Sequence, residues 1–188
     1  MVYGIATNDA DYATQPMVDG KRTVCPIYAT WKNMLKRCYS KAYQKDRPRC
    51  IGCSVDKEWL NFSNFRAWMV KQDWQGSHLD KDLLVSGNKV YGPKTCIFVP
   101  QRVNSLIVAS NAIRGEYPVG VCWNKREQKF ISGCKNGAGK KVHLGYFDTA
   151  DEAHEAYKTF KYQVIAEVSA TQPKHIRDAL LAYKIEKY

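Results

Sequence analysis

The sequence predicts an α+β protein in two parts: an N-terminal helical region that ends in a hairpin and a helix, then a three-stranded antiparallel sheet braced by one helix. Three observations carry this. From Pro26 onward apolar residues recur at three- and four-residue steps, the period of one helix face. Between Gly120 and Phe147 three stretches alternate apolar and polar, as half-buried strands do. Thr149 and Glu152 then have the spacing of a capping box at the head of a long apolar-periodic run. With 188 residues and 45% hydrophobic content, the chain can bury a core as one domain of ordinary size or as two small ones.

Residues 1–23 are polar and have no clear period, which predicts an extended arm or a poorly ordered end. Pro26 opens the first helix, with Ile27, Trp31, Met34, Leu35 and Cys38 on its inner face and Lys32, Lys36 and Arg37 away from it. After CIGC (50–53), the segment from Val55 to Val70 places Trp59, Phe62, Phe65 and Trp68 at three-residue steps, again one helix face and core before anything else. Residues 79–107 change character: a short strand, a turn at Ser86 to Asn88, a second extended piece, and a helix after Pro100. Asn111 to Tyr117 reads as a linker.

Downstream, GVCWNK, QKFISGCK and KKVHLGYF form the three strands, with Asn136 and Gly137 supplying a hairpin turn. Alternation sends Val121, Phe130, Ser132, Cys134, Val142 and Leu144 inward and Cys122, Asn124, Lys129, Lys135, Lys141 and His143 outward, with Arg126 beside the first turn. The capped helix buries Ala153, Tyr157, Phe160 and Val164. Pro173 suits the first turn of a last helix that runs to the C-terminus, with Ile176, Leu180 and Tyr183 on its inner stripe. The expected organisation is an arm over 1–23, a first region over 24–110, a sheet module over 115–170 and a terminal helix over 171–188.

A formal net charge of +11 favours a polyanionic partner, nucleic acid first, because each Lys or Arg at a phosphate releases condensed counterions. Between Lys21 and Arg49 nine basic residues face the single acid Asp46, which suits either a phosphate backbone or a solvated helix face. No stretch is long and apolar enough to span a bilayer, and MVYGIATNDADYATQP has no basic start followed by an apolar core, so no membrane partner and a cytoplasmic location are expected. Seven cysteines, an odd number, argue against a disulfide framework. Buried reduced thiols are the leading reading, and Cys38, Cys50, Cys53 and Cys96 on a structural zinc ion are the other.

Tyr117, Gly120, Val121, the pair Lys129–Phe130 and the run LGYFDTADEAHEAY (144–157) resemble the Apetala-two, or ERF-type, DNA-binding domain over about 50 residues. The resemblance implies a sheet laid into the major groove of double-stranded DNA with the helix bracing it from behind. Lys129, Lys135 and Lys141 suit phosphates, whereas Asn124 and Arg126 suit adenine and guanine edges, and His143 shares that face.

Further upstream, WKNMLKRCY, CSVDKEWLNFSNF and LDKDLLVSGNKVYGPKTCIFVPQRVN are similar to phage proteins of the HNH, or His-Me finger, superfamily, which often carry an ERF-type module behind them. What this implies is a ββα-metal arrangement holding Mg or Mn and a homing-type endonuclease that nicks or cleaves duplex DNA in the host cytoplasm, as a monomer or weak dimer. Asp80 fits the metal position and Asn104 the polar helix position, but Lys81 stands where the family has histidine and Thr95 where it has asparagine. His78 could be displaced onto the site. On a strand, positions 78, 80 and 82 share a face, which would group His78, Asp80 and Asp82 round a metal with Lys81 as a phosphate clamp. The alternative is a catalytically inactive DNA-binding protein that retains the nuclease scaffold.

Overall fold

A computed structural model describes residues 1–85, 87–107 and 116–185. It is α+β and divides into two compact units, Met1–Gln101 and Arg102–Tyr188. The division falls one residue into the helix that follows Pro100, ahead of residue 110, where the first region was expected to end. Most of the expected linker, 111–115, lies outside the described residues.

The first unit begins with an ordered arm. Ala6 is fully buried, Val2 and Ala10 pack on the core, and Thr7 exchanges backbone hydrogen bonds with Leu60 and Phe62 at 2.9 and 3.0 Å. Short strands β1 (Met17–Val18) and β2 (Lys21–Arg22) pair antiparallel. Helix α1 (Pro26–Tyr39) starts with proline in its first turn, where the missing N–H would have no helical partner anyway. Of its expected face Trp31, Met34, Leu35 and Cys38 are buried, joined by Tyr28, while Ile27 is half-buried against the same core. A short helix α2 (Lys41–Asp46) follows, capped by the Ser40 hydroxyl.

The aromatic segment differs from the single helix expected over 55–70. Strand β3 (Ser54–Val55) comes first, then one 3-10 turn over Lys57–Leu60 capped by the Asp56 carboxylate, then α3 (Phe62–Met69). Three-residue spacing serves a 3-10 turn as well as an α-helix, so Trp59 reaches the same core from a different element. The Trp31 indole N–H donates to the Trp59 carbonyl at 2.7 Å, and Phe62 meets Tyr28 edge to face. Trp31, Trp59, Phe62 and Phe65 are essentially inaccessible, and truncating any of them to alanine would cost about 3–5 kcal/mol.

Three further strands complete the unit: β4 (Ser77–Asp80), β5 (Val90–Tyr91) and β6 (Ile97–Pro100). Local hairpin pairing was expected of β4 and the piece after the 86–88 turn. Instead β5 pairs in parallel with β3, and β4 pairs antiparallel with β6, His78 opposite Val99 and Asp80 opposite Ile97. Ser86 of the expected turn lies outside the described residues; beside it, the Asn88 N–H donates to the Val85 carbonyl.

The second unit takes in α4 (Gln101–Ile107) from Arg102 onward and carries the three-stranded sheet β7 (Val121–Asn124), β8 (Lys129–Lys135) and β9 (Lys141–Phe147) in that spatial order. Helix α5 (Ala150–Ala170) braces it, started by the expected capping box: the Glu152 N–H donates to the Thr149 hydroxyl and the Thr149 N–H to the Glu152 carboxylate. Ala153 and Val164 are buried as expected, together with His154, Ile165 and Val168, while Tyr157 and Phe160 are half-buried. The last helix, α6 (Lys174–Ala182), buries Ile176 and Leu180; Pro173 sits just before it as its cap, and it stops at Ala182. Among the described residues no helix is long and apolar enough to cross a membrane.

Candidate nucleic-acid interface

Residues paired across a sheet project from the same face, so the register of β7–β9 sorts the side chains. Ser132 and Cys134 on the central strand are buried toward α5, which makes their rungs the inner face. Val121 and Gly145 pair with Ser132, Trp123 and Phe147 with Phe130, and Val142 with Cys134, as the inner set. Trp123 and Tyr117 both meet the Phe130 ring edge to face, which agrees with that sorting.

The outer face therefore carries four rungs. At one end Lys135 pairs with Lys141, and both are exposed. Next comes Gly133 opposite His143. Then Cys122, Ile131 and Tyr146 lie in one line across all three strands. At the far end Asn124 pairs with Lys129. The expected outward residues are thus outward, and Ile131 and Tyr146 join them.

Tyr146 reaches this face through a β-bulge. Ser132 faces Gly145 while Gly133 faces His143, so Leu144 is an extra residue with no partner of its own on β8. The phase of alternation shifts by one there, and Tyr146 emerges beside His143 with half of its surface exposed. Gly145 takes φ of 139°, a backbone conformation that a side chain rarely adopts. A glycine inside an alternating strand is a sequence signal for such a bulge, and it marks the residue that strict alternation misassigns.

Two of the polar groups on this face are committed to holding hairpins. The Asn124 side-chain oxygen accepts from the Arg126 and Glu127 N–H groups at 2.9 and 3.3 Å, closing the β7–β8 turn, so its carbonyl is not free for an adenine edge. Lys129 is bonded to Asp148 at 2.7 Å. Arg126 projects almost fully into solvent, with the Glu127 carboxylate 3.4 Å from its guanidinium. The β8–β9 turn contains Asn136 and Gly137 as expected; the Asn136 side chain accepts from Ala138 and Lys140, and Gly139 takes positive φ.

The first unit arranges its candidate residues differently from the strand-face grouping. Strand β4 ends at Asp80, so Asp82 is not on it. The Asp80 carboxylate turns back to accept the N–H groups of Asp82 and Leu83 at 2.9 and 2.7 Å and caps the bend that follows. Burial raises its pKa; the Leu83 N–H opposes that, the Asp82 charge adds to it, and the Asp82 N–H and Lys81 charge oppose it. Lys81, expected as a phosphate clamp, is 8% exposed. Its ammonium donates to the Asp82 carboxylate and the Asn88 carbonyl and lies over the Tyr91 ring, pinning the loop between β4 and β5. Of the proposed trio His78 and Asp82 are exposed and Asp80 is buried, so the three do not share one environment. Asn104 is half-buried on α4 and belongs to the second unit.

Neither proposed metal set has a convergent arrangement. Among the described residues no three His, Cys, Asp or Glu side chains are grouped so as to hold an ion. Asp80 is spent on backbone N–H groups and Asp82 on Lys81, so a divalent ion does not fit these donors as they stand. Cys38, Cys50, Cys53 and Cys96 are all buried free thiols, and burial pushes Cys38 and Cys96 up to about 12. Thr95, where the family pattern has asparagine, donates its hydroxyl to the Val90 carbonyl at 2.7 Å.

On α1, Lys32 and Lys36 are exposed as expected, Lys36 resting 5.1 Å from the Tyr43 ring. Arg37 is turned inward, donating to the Tyr91 hydroxyl at 3.5 Å, and so leaves the exposed basic set. Compared with family models, curated proteins and solved structures, the chain matches none of them.

Proposed function

We propose that the chain is a DNA-binding protein that lays the outer face of β7–β9 on double-stranded DNA, and that its first unit serves as a basic, non-catalytic scaffold. The single observation that carries this reading is the outer face itself: a rung of two exposed lysines, Lys135 and Lys141, at one end, exposed Arg126 beyond the other, and no carboxylate on the rungs between them. A strand pair or small sheet has the width to enter a major groove, and lysines at its margin meet the flanking phosphates. The chain's +11 charge works in the same direction. Lys32 and Lys36 give the first unit a cationic helix face of its own.

The non-catalytic form is favoured because the expected clamp, Lys81, is buried on Asp82 and Asn88 and the expected ligand, Asp80, is capping a bend. Fluorescence anisotropy with a labelled duplex at several salt concentrations tests the reading. Each lysine at a phosphate contributes about 0.9 to the slope of log affinity against log salt. Lys135→Gln with Lys141→Gln is therefore expected to weaken binding and flatten that slope by about 1.8. A flat slope for the unaltered protein would remove the reading.

A second reading, metal-dependent nicking by a ββα-metal type of site, rests on His78, exposed on β4 in an antiparallel pair that is followed by a helix. Plasmid nicking with Mg or Mn that disappears in His78→Ala would establish it and displace the non-catalytic form.

A further inference from the structure

The central rung of the outer face is apolar, and its position among cations calls for a partner with apolar and anionic groups in register. Cys122, Ile131 and Tyr146 form that rung; Lys135 and Lys141 lie two rungs to one side, and Lys129 lies one rung to the other. Tyr146 is half exposed, and its ring is steadied by His143, the two centroids 4.9 Å apart at 63° between planes. Gly133, opposite His143, has no side chain, and the aliphatic part of Lys141 lies over it, with Cε 3.4 Å from where a Cβ would stand. The bulge thus places an exposed tyrosine on the edge strand β9, in line with Ile131 of the central strand and Cys122 of the other edge.

We infer that Tyr146, with Ile131 and Cys122 beside it, is a specificity-determining contact for thymine methyl groups in the major groove. This rests on the reading that the outer face meets duplex DNA. The chemistry follows from what the groove displays: base edges there are hydrogen-bonding groups except for the C5-methyl of thymine, which is read by apolar contact. Lysines at the margins of the face reach the backbone, which runs along both lips of the groove, and the rung between them faces the groove floor. The remaining face supplies few bidentate donors, because Asn124 is committed to its turn, so apolar readout is the main source of sequence preference from the sheet itself.

Substituting uracil for thymine tests this with little other change, since only the methyl groups are removed. Two labelled duplexes of one mixed sequence, one with thymine and one with uracil throughout, are titrated with the full chain and with Tyr146→Ala. The thymine duplex is expected to bind more tightly by about fourfold for each methyl seated on the rung. Tyr146→Ala is expected to bind both duplexes alike and to keep the salt slope of the unaltered protein, because phosphate contacts are made elsewhere. Circular dichroism of the variant checks that an exposed substitution has left the fold in place. Equal binding of both duplexes by the unaltered protein would overturn the inference while leaving duplex binding intact; binding to neither would overturn the underlying reading as well. Tighter binding to the single strand, with no loss on uracil substitution, would assign Tyr146 to base stacking and overturn the inference too.

Discussion

His143 and Tyr146 pack ring against ring on the outer face of the sheet, edge to face at 4.9 Å, because the unpaired residue Leu144 lets both side chains emerge on one side of β9. Gly145 is the hinge of that arrangement. Its φ of 139° is a backbone conformation that strains any side chain, although a Cβ there would meet the Phe147 ring only in ordinary contact at 3.4 Å. Gly145→Ala is expected to lose about 1–3 kcal/mol of stability, the cost of holding an ordinary residue in a sparsely populated backbone region. Urea denaturation measures it, and an unchanged midpoint would mean that the bulge relaxes without strain.

The cysteines differ in reactivity, and one of them lies on the proposed contact. Burial pushes the Cys25 thiol up, but the Tyr28 and Ile27 N–H groups at the start of α1 and the Tyr12 hydroxyl outweigh it and hold the thiol below its ordinary value. Cys122 is exposed, whereas Cys38 and Cys96 are buried and pushed up to about 12. Iodoacetamide near neutral pH is expected to label Cys25 and Cys122 and to spare Cys38 and Cys96 until the protein is unfolded. Duplex DNA is expected to protect Cys122 and leave Cys25 reactive, as read by mass spectrometry of the labelled peptides. Protection of Cys25 alone would place the nucleic acid on the first unit.

Asp80 gives a pH signature. Its folded pKa is raised, chiefly by burial, so its contribution to stability is fully present below the ordinary value of 3.8 and is lost as pH rises through the raised folded value. Asp80→Asn keeps an oxygen for the Asp82 and Leu83 N–H groups without the buried charge. The variant is expected to match or exceed the original protein in stability at pH 7, with that advantage vanishing on acidification toward pH 4. Asp80→Ala leaves both N–H groups without their acceptor and is expected to cost about 1–3 kcal/mol. Denaturation midpoints across that pH range check both, and an advantage of Asp80→Asn over the original protein that shrinks as pH rises would reverse the assignment.

Much of the architecture is legible in the residues because it depends on local periods. The inner face of α1 follows from the spacing of Trp31, Met34, Leu35 and Cys38, the start of α5 from Thr149 and Glu152, and the inward set of β7 and β8 from simple alternation. Each is a property of a few consecutive residues, and neighbours in the chain enforce it. The arm is less legible: its order comes from burial of Ala6 and the bonds of Thr7 to Leu60 and Phe62, more than fifty residues away.

What periodicity could not supply was the choice of partners across the chain. That β5 pairs with β3 and β4 with β6, that Lys81 and Arg37 turn inward to Tyr91, and that Asp80 caps a bend all depend on groups distant in sequence meeting at one place. The bulge at Leu144 belongs with them. Alternation alone sends Tyr146 to the inner face, and only the pairing of Ser132 with Gly145 and Gly133 with His143 moves it outward. Composition and local spacing determine a basic, capped, alternating module; which of its side chains a partner meets is decided by register, since a slip of one residue moves a side chain to the opposite face.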